Sequence, residues 1–121
     1  MSQVNQQLNP TYIGPGTWNV IHMLAFQAKT KTKQDEFMRT MKSICNHFPC
    51  EICRGHCQSY IKQNPMEEYR DVSYQKIKNV GMFVWTWKFH NAVNYRIGKP
   101  IFSWEQAYGL YNNQSCKECS L

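Results

Sequence analysis

The sequence predicts an all-α fold, a four-helix bundle plus a short fifth helix. Three observations predict it. The 121-residue length suits one domain. Apolar residues recur at helical spacing in five successive segments, and no useful stretch alternates apolar and polar residues as a strand would.

Residues 1–13 are polar and aperiodic and read as a loose N-terminal arm. Gly14-Pro15-Gly16 reads as punctuation, with Thr17 placed to cap the first helix. Trp18, Ile21, His22, Ala25 and Phe26 then share one helical face. Residues 29–34 read as a basic connector, and Phe37, Met41, Ile44, Cys45 and Phe48 as a second helix. Pro49 ends it, because the residue before a proline is pushed towards extended geometry. Pro49 also suits the opening of a third helix, which carries Cys50, Cys53, His56, Cys57, Tyr60 and Ile61 and stops near Asn64-Pro65. A fourth helical pattern starts near Ser73, runs through Ile77, Val80, Val84, Trp87 and Asn91, and ends at Gly98-Lys99-Pro100. A fifth starts at Ser103 with Trp104, Ala107, Tyr108 and Tyr111. The organisation predicted is an arm at 1–13, one domain at 14–111 and a tail at 112–121.

Composition narrows the function classes. The chain holds 4 Trp, 7 Tyr and 6 Phe, too aromatic for low-complexity disorder. Mean hydropathy is −0.61, and no apolar run approaches the ~20 residues of a membrane span. No basic start followed by an apolar stretch marks a signal peptide, so a cytoplasmic location is expected. The net charge of +6 is scattered, without a run of five basic residues, and reads as a solvated surface. A nucleic-acid binder would rest on that charge alone.

The six cysteines are the informative feature. Cys50 and Cys53, and again Cys116 and Cys119, have C-x-x-C spacing. Four of the six crowd into 13 residues, which favours redox or metal chemistry over a secreted scaffold. At a helix N-terminus, Cys50 and Cys53 lie on one face at a separation a disulfide can bridge. The partial positive charge there favours thiolate, so the pair can cycle between dithiol and disulfide. The alternative is a four-cysteine zinc site in an interaction module without turnover. The two pairs are 62 residues apart, against a usual spacing of roughly 15–20. A thioredoxin-like reading needs βαβ elements, which are absent from the pattern. Cys45 reads as a buried thiol on the core face of its helix; a Cys45–Cys57 bridge stays open.

A second constellation is polar and aromatic. His22 lies between Trp18 and Phe26, and His90, Asn91 and Asn94 lie near Phe83, Trp85 and Trp87. Core packing is one reading. The other is a pocket for a flat, nitrogen-rich aromatic ligand, with rings to stack on it and amides to match its edges. Arg96 and Lys99 would then stand where phosphates leave the pocket.

These residues together resemble the Erv/ALR family of FAD-linked sulfhydryl oxidases. The resemblance rests on Gly14-Pro15…Trp18…His22, on Phe48-Pro49-Cys50-x-x-Cys53-x-x-His56, and on His90-Asn91-Ala92-Val93-Asn94-x-Arg96-x-Gly98-Lys99-Pro100. Three motifs in register span roughly residues 14–111, and the single-domain build is similar to the compact members of large DNA viruses. The resemblance implies FAD at the mouth of the bundle and usually a homodimer. It implies that Cys53 faces the isoalloxazine and that the more exposed Cys50 meets incoming thiols. It implies a cofactor site at Trp18, His22, His56, Trp85, His90, Asn91, Asn94, Lys99 and Tyr111. It makes Cys116 and Cys119 a shuttle pair, protein dithiols or a thioredoxin-like carrier the partners, and O2 the acceptor that yields H2O2. No metal, nucleic acid or membrane enters this picture. The family works in a viral or host cytosol, in the mitochondrial intermembrane space and in a secretory lumen; the missing signal disfavours only the last, with the cytosol expected and the intermembrane space open.

Two departures stand out. Many members tie the fifth-helix region with a structural disulfide, whereas residues 101–121 offer only the tail pair, leaving Trp104 and Tyr108 to hold it by packing. Cys57 stands where the family commonly has Phe.

Overall fold

The computed structural model describes residues 8–112 of the chain. Among them are five α-helices: α1 (Pro10–Gln27), α2 (Lys31–His47), α3 (Glu51–Gln63), α4 (Gly81–Ile97) and α5 (Trp104–Tyr111), with a 3₁₀ turn at Met66–Tyr69. Helices α1 to α4 form the bundle: α1 packs on α4 and α2 on α3, α1 also meets α2, and α5 lies on α1.

Helix α1 starts earlier than its motif suggests. Asn9 is its cap, with Oδ1 accepting the Thr11 amide at 2.8 Å, and Pro10 takes the first turn, where no amide hydrogen is needed. The helix then runs through Gly14-Pro15-Gly16. Pro15 removes one internal hydrogen bond. Burial of Ile21, His22 and Ala25 further along anchors the helix regardless. Thr17 caps nothing: its hydroxyl donates to the Ile13 carbonyl at 2.8 Å. Helix α2 likewise begins inside the expected connector, capped by Thr30, whose hydroxyl oxygen accepts the Lys33 amide.

The larger difference is before α4. Residues 73–80 are not helical: Tyr74 and Ile77 exchange two backbone hydrogen bonds, of 3.0 and 2.9 Å, around Gln75 and Lys76 at positive φ. The helical spacing of Ile77 and Val80 still reflects packing, since both join the Val84–Trp104 cluster. The helix starts at Gly81, where a Cβ would sit 1.5 Å from the Tyr69 carbonyl oxygen. Residues 81–86 are all buried, so the first half of α4 is enclosed on every side.

Two apolar clusters result. One gathers Phe37, Met41, Met66, Met82, Trp85 and Phe89 between the four long helices. The other gathers Val80, Phe83, Val84, Trp104 and Ala107 beneath α5. The fifth helix opens with a capping box in which Ser103 and Gln106 satisfy each other's amides. Trp104 packs on Phe83 and Tyr74, and Tyr108 on Phe26. The Asn91 side chain also pins the chain before α5, accepting from the Phe102 amide at 3.0 Å and donating to its carbonyl at 2.9 Å. No helix among the described residues is long and apolar enough to cross a membrane.

Candidate active site

The third helix presents the cysteine pair. Cys50 is its N-cap, in extended geometry, and its Sγ accepts the Cys53 amide at 3.2 Å. Cys50 and Cys53 form a disulfide with Cα atoms 5.1 Å apart. Once reduced, a thiol here faces the unpaired amides of the first helical turn, which stabilise thiolate. A second disulfide joins Cys45 of α2 to Cys57 of α3, Cα to Cα 5.4 Å. Cys45 is therefore not an inert thiol: the register of α2 against α3 brings both sulfurs into one buried contact.

A pocket of about 670 Å³ opens beside the pair, bounded by α1, the α2–α3 junction, α4 and residues 99–111. That size is within the ~300–1,000 Å³ of ligand pockets. Cys53 lines it and Cys50 does not. Of the other candidate residues, Trp18, His22, His56, His90, Asn94, Lys99 and Tyr111 line it. Trp85 and Asn91 stand apart from it. Trp85 is fully buried between Tyr60 and Phe89, with its indole donating to the Asn64 carbonyl at 2.8 Å. Asn91 is engaged by Phe102 as described. Cys116 and Cys119 lie outside the described residues.

The pocket wall is stacked and hydrogen-bonded in depth. The Trp18 indole is 4.0 Å from the His90 ring. His90 Nδ1 is 2.8 Å from His22 Nε2, and His22 Nδ1 is 2.9 Å from Thr86 Oγ1. Burial holds the His22 imidazole down at about 3, with His90 beside it adding to the push. Burial and then the charge of Lys99 hold His90 at about 4. Both rings are neutral near pH 7, as suits aromatic stacking in an apolar wall. Tyr111 closes one side by donating to Asn19 Oδ1 at 2.9 Å, and burial raises its pKa.

The residues fit a flavin dinucleotide. Flat rings line an apolar interior, and Asn94, largely buried in the wall, lines it with a side-chain amide that can meet a polar edge. The exposed Arg96 and Lys99 supply positive charge at the rim for phosphates. No group of three or more His, Cys, Asp or Glu suited to a metal occurs among the described residues. Sequence reasoning missed Asn19, Phe102 and Thr86, polar or aromatic residues whose roles depend on which helix lies opposite.

The profile of the Erv1 / Alr family matches residues 15–114. An FAD-linked sulfhydryl oxidase of African swine fever virus (isolate Pig/Kenya/KEN-50/1950) is 29% identical over 107 residues, covering 86% of this chain and 83% of that one. Its counterpart from isolate Tick/Malawi/Lil 20-1/1983 is 30% identical over 101 residues, covering 81% and 78%. The crystal structure of the yeast Erv1 core superposes with a TM-score of 0.71 at 19% identity, covering 89% of this chain and 87% of that one, a likeness of fold. With most of its length matched by the family profile, the chain belongs to the Erv1/Alr family.

Proposed function

We propose that this protein is an FAD-dependent sulfhydryl oxidase that forms disulfides in protein thiols and passes the electrons to O2, giving H2O2. One observation carries the reading: Cys53, of the Cys50–Cys53 disulfide, opens on the aromatic pocket, while its partner does not line it. A substrate thiolate attacks Cys50 and forms a mixed disulfide, releasing Cys53 as thiolate. The second substrate thiol resolves that bond, so the substrate leaves as a disulfide and Cys50 and Cys53 remain reduced. Bound FAD supplies the two-electron chemistry between this dithiol and O2.

The chain's own part is to bind and orient. Trp18, His22, His90 and Tyr111 hold the ring systems, Asn94 and His56 meet polar edges, and Lys99 with Arg96 holds the phosphates. Trp85 and Asn91 support the wall from behind. The tail beyond residue 112 carries Cys116 and Cys119, and a short tether would give that pair a high effective concentration at Cys50. Protein dithiols or a thioredoxin-like carrier are the substrates, in the cytosol. A second copy of the chain covers the exposed Val20, Met23 and Leu24, which share a face of α1.

The test is Cys53→Ser. The purified variant keeps the visible absorption of oxidised flavin and loses oxygen consumption with a dithiol substrate. Full oxygen consumption in the variant, or wild-type protein that takes up no flavin, overturns the reading.

A further inference from the structure

Thr86 lies on the buried half of α4 and is fully buried. Its hydroxyl oxygen makes two contacts: 2.8 Å to the Phe83 carbonyl and 2.9 Å to His22 Nδ1. A threonine has one hydroxyl hydrogen, and a carbonyl only accepts. Donation back to the carbonyl of the preceding turn is the usual arrangement for a threonine inside a helix. With the hydrogen on the Phe83 carbonyl, Oγ1 must accept from His22, so the His22 hydrogen is on Nδ1. A neutral His22 then has a bare Nε2, and His90 Nδ1, 2.8 Å away, must donate to it. A neutral His90 with its hydrogen on Nδ1 has a bare Nε2 on the opposite edge of the ring.

That edge has an address. His90 Nε2 has no protein partner among the described residues, yet no buried side-chain nitrogen or oxygen among them is left unpaired. Nε2 is therefore not sealed in the core, and His90 lines the pocket. The Trp18 stack on one face and the His22 bond on one edge hold the ring in place.

We infer that Thr86 is a positioning residue: through His22 it fixes His90 in the tautomer that presents a hydrogen-bond acceptor, Nε2, to the pocket. The ligand group that meets His90 is then an N–H or O–H donor. The inference deepens the cofactor-site reading and rests on it for the identity of that ligand. The tautomers themselves do not depend on it.

The test begins with the wild-type full chain. Long-range nitrogen–proton NMR of ¹⁵N-labelled protein assigns which nitrogen of each ring is protonated. The expected result is Nδ1–H on both His22 and His90. Nε2–H on both would mean that the Thr86 hydroxyl donates to His22, and would overturn the inference. In Thr86→Val the oxygen is lost; both rings are expected to switch to Nε2–H, and FAD to bind about tenfold more weakly, the scale of one buried hydrogen bond. Thr86→Ser restores the wild-type tautomers and affinity. Unchanged tautomers in Thr86→Val overturn the role of Thr86, and if that variant fails to fold, the wild-type and Thr86→Ser spectra decide. Wild-type protein that binds no FAD but shows Nδ1–H on both rings refutes the oxidase reading and leaves the relay standing.

Discussion

The Trp18 indole and the His90 imidazole lie face to face, their centroids 4.0 Å apart and their planes 5° from parallel. The two come from α1 and α4, so the stack ties the bundle together and forms one wall of the pocket. The His22 bond to His90 sets the rotation of the pair.

Trp18→Ala removes half of that wall. An aromatic pair contributes about 0.5–1.5 kcal/mol beyond area burial, and the cofactor loses a surface to stack on. FAD titrated into the variant should bind about tenfold more weakly or worse, while Trp18→Phe keeps most of the affinity. Equal binding by wild type and Trp18→Ala would remove Trp18 from the cofactor site.

The Cys45–Cys57 disulfide pins α2 to α3 one helical turn beyond Cys53. It closes a loop of sequence separation 12, for which chain-entropy arguments give about 3 kcal/mol. Replacing both cysteines by Ala should lower the free energy of unfolding by about 2–3 kcal/mol. Guanidinium unfolding of the two proteins checks this, and coincident curves would show that helix packing alone holds the register.

Acid should weaken the fold before the carboxylates titrate. His22 and His90 ordinarily titrate at 6.5 and are held at about 3 and about 4 in the folded chain. Between those values the unfolded chain binds more protons than the folded one. The stability is therefore complete above pH 6.5 and falls as the pH drops towards 4, by up to about 1.4 kcal/mol per pH unit for the buried His22 and by less for His90, whose partial exposure to solvent screens its share. Asp35 and Glu67, both held below the usual carboxylate range, add their losses only at lower pH. Unfolding midpoints followed from neutral pH down to pH 5 isolate the histidines. A flat profile there would contradict their burial as neutral rings.

Much of this protein could be read from local spacing. Cys50 and Cys53 are legible because residues three apart at a helix start must share a face, and the cap at Cys50 is one residue past Pro49. Ser103 marks the start of α5 in the same local way. Local signals also misled: Gly14-Pro15-Gly16 looked like a break but lies within α1, and Ile77 and Val80 kept helical spacing in a segment that turns instead.

The sequence by itself determined the all-α class, the cysteine pair at a helix start and the constellation of Trp18, His22, His90 and Asn94 that lines the pocket, because helical periodicity is a property of neighbouring residues. Only the tertiary structure decided that Cys45 bonds Cys57 and that Trp85 and Asn91 stand outside the pocket, behind its wall. It alone set Thr86 against His22, 64 residues away. Those outcomes depend on the rotation and register of one helix against another, which packing of the whole core sets and no single segment encodes.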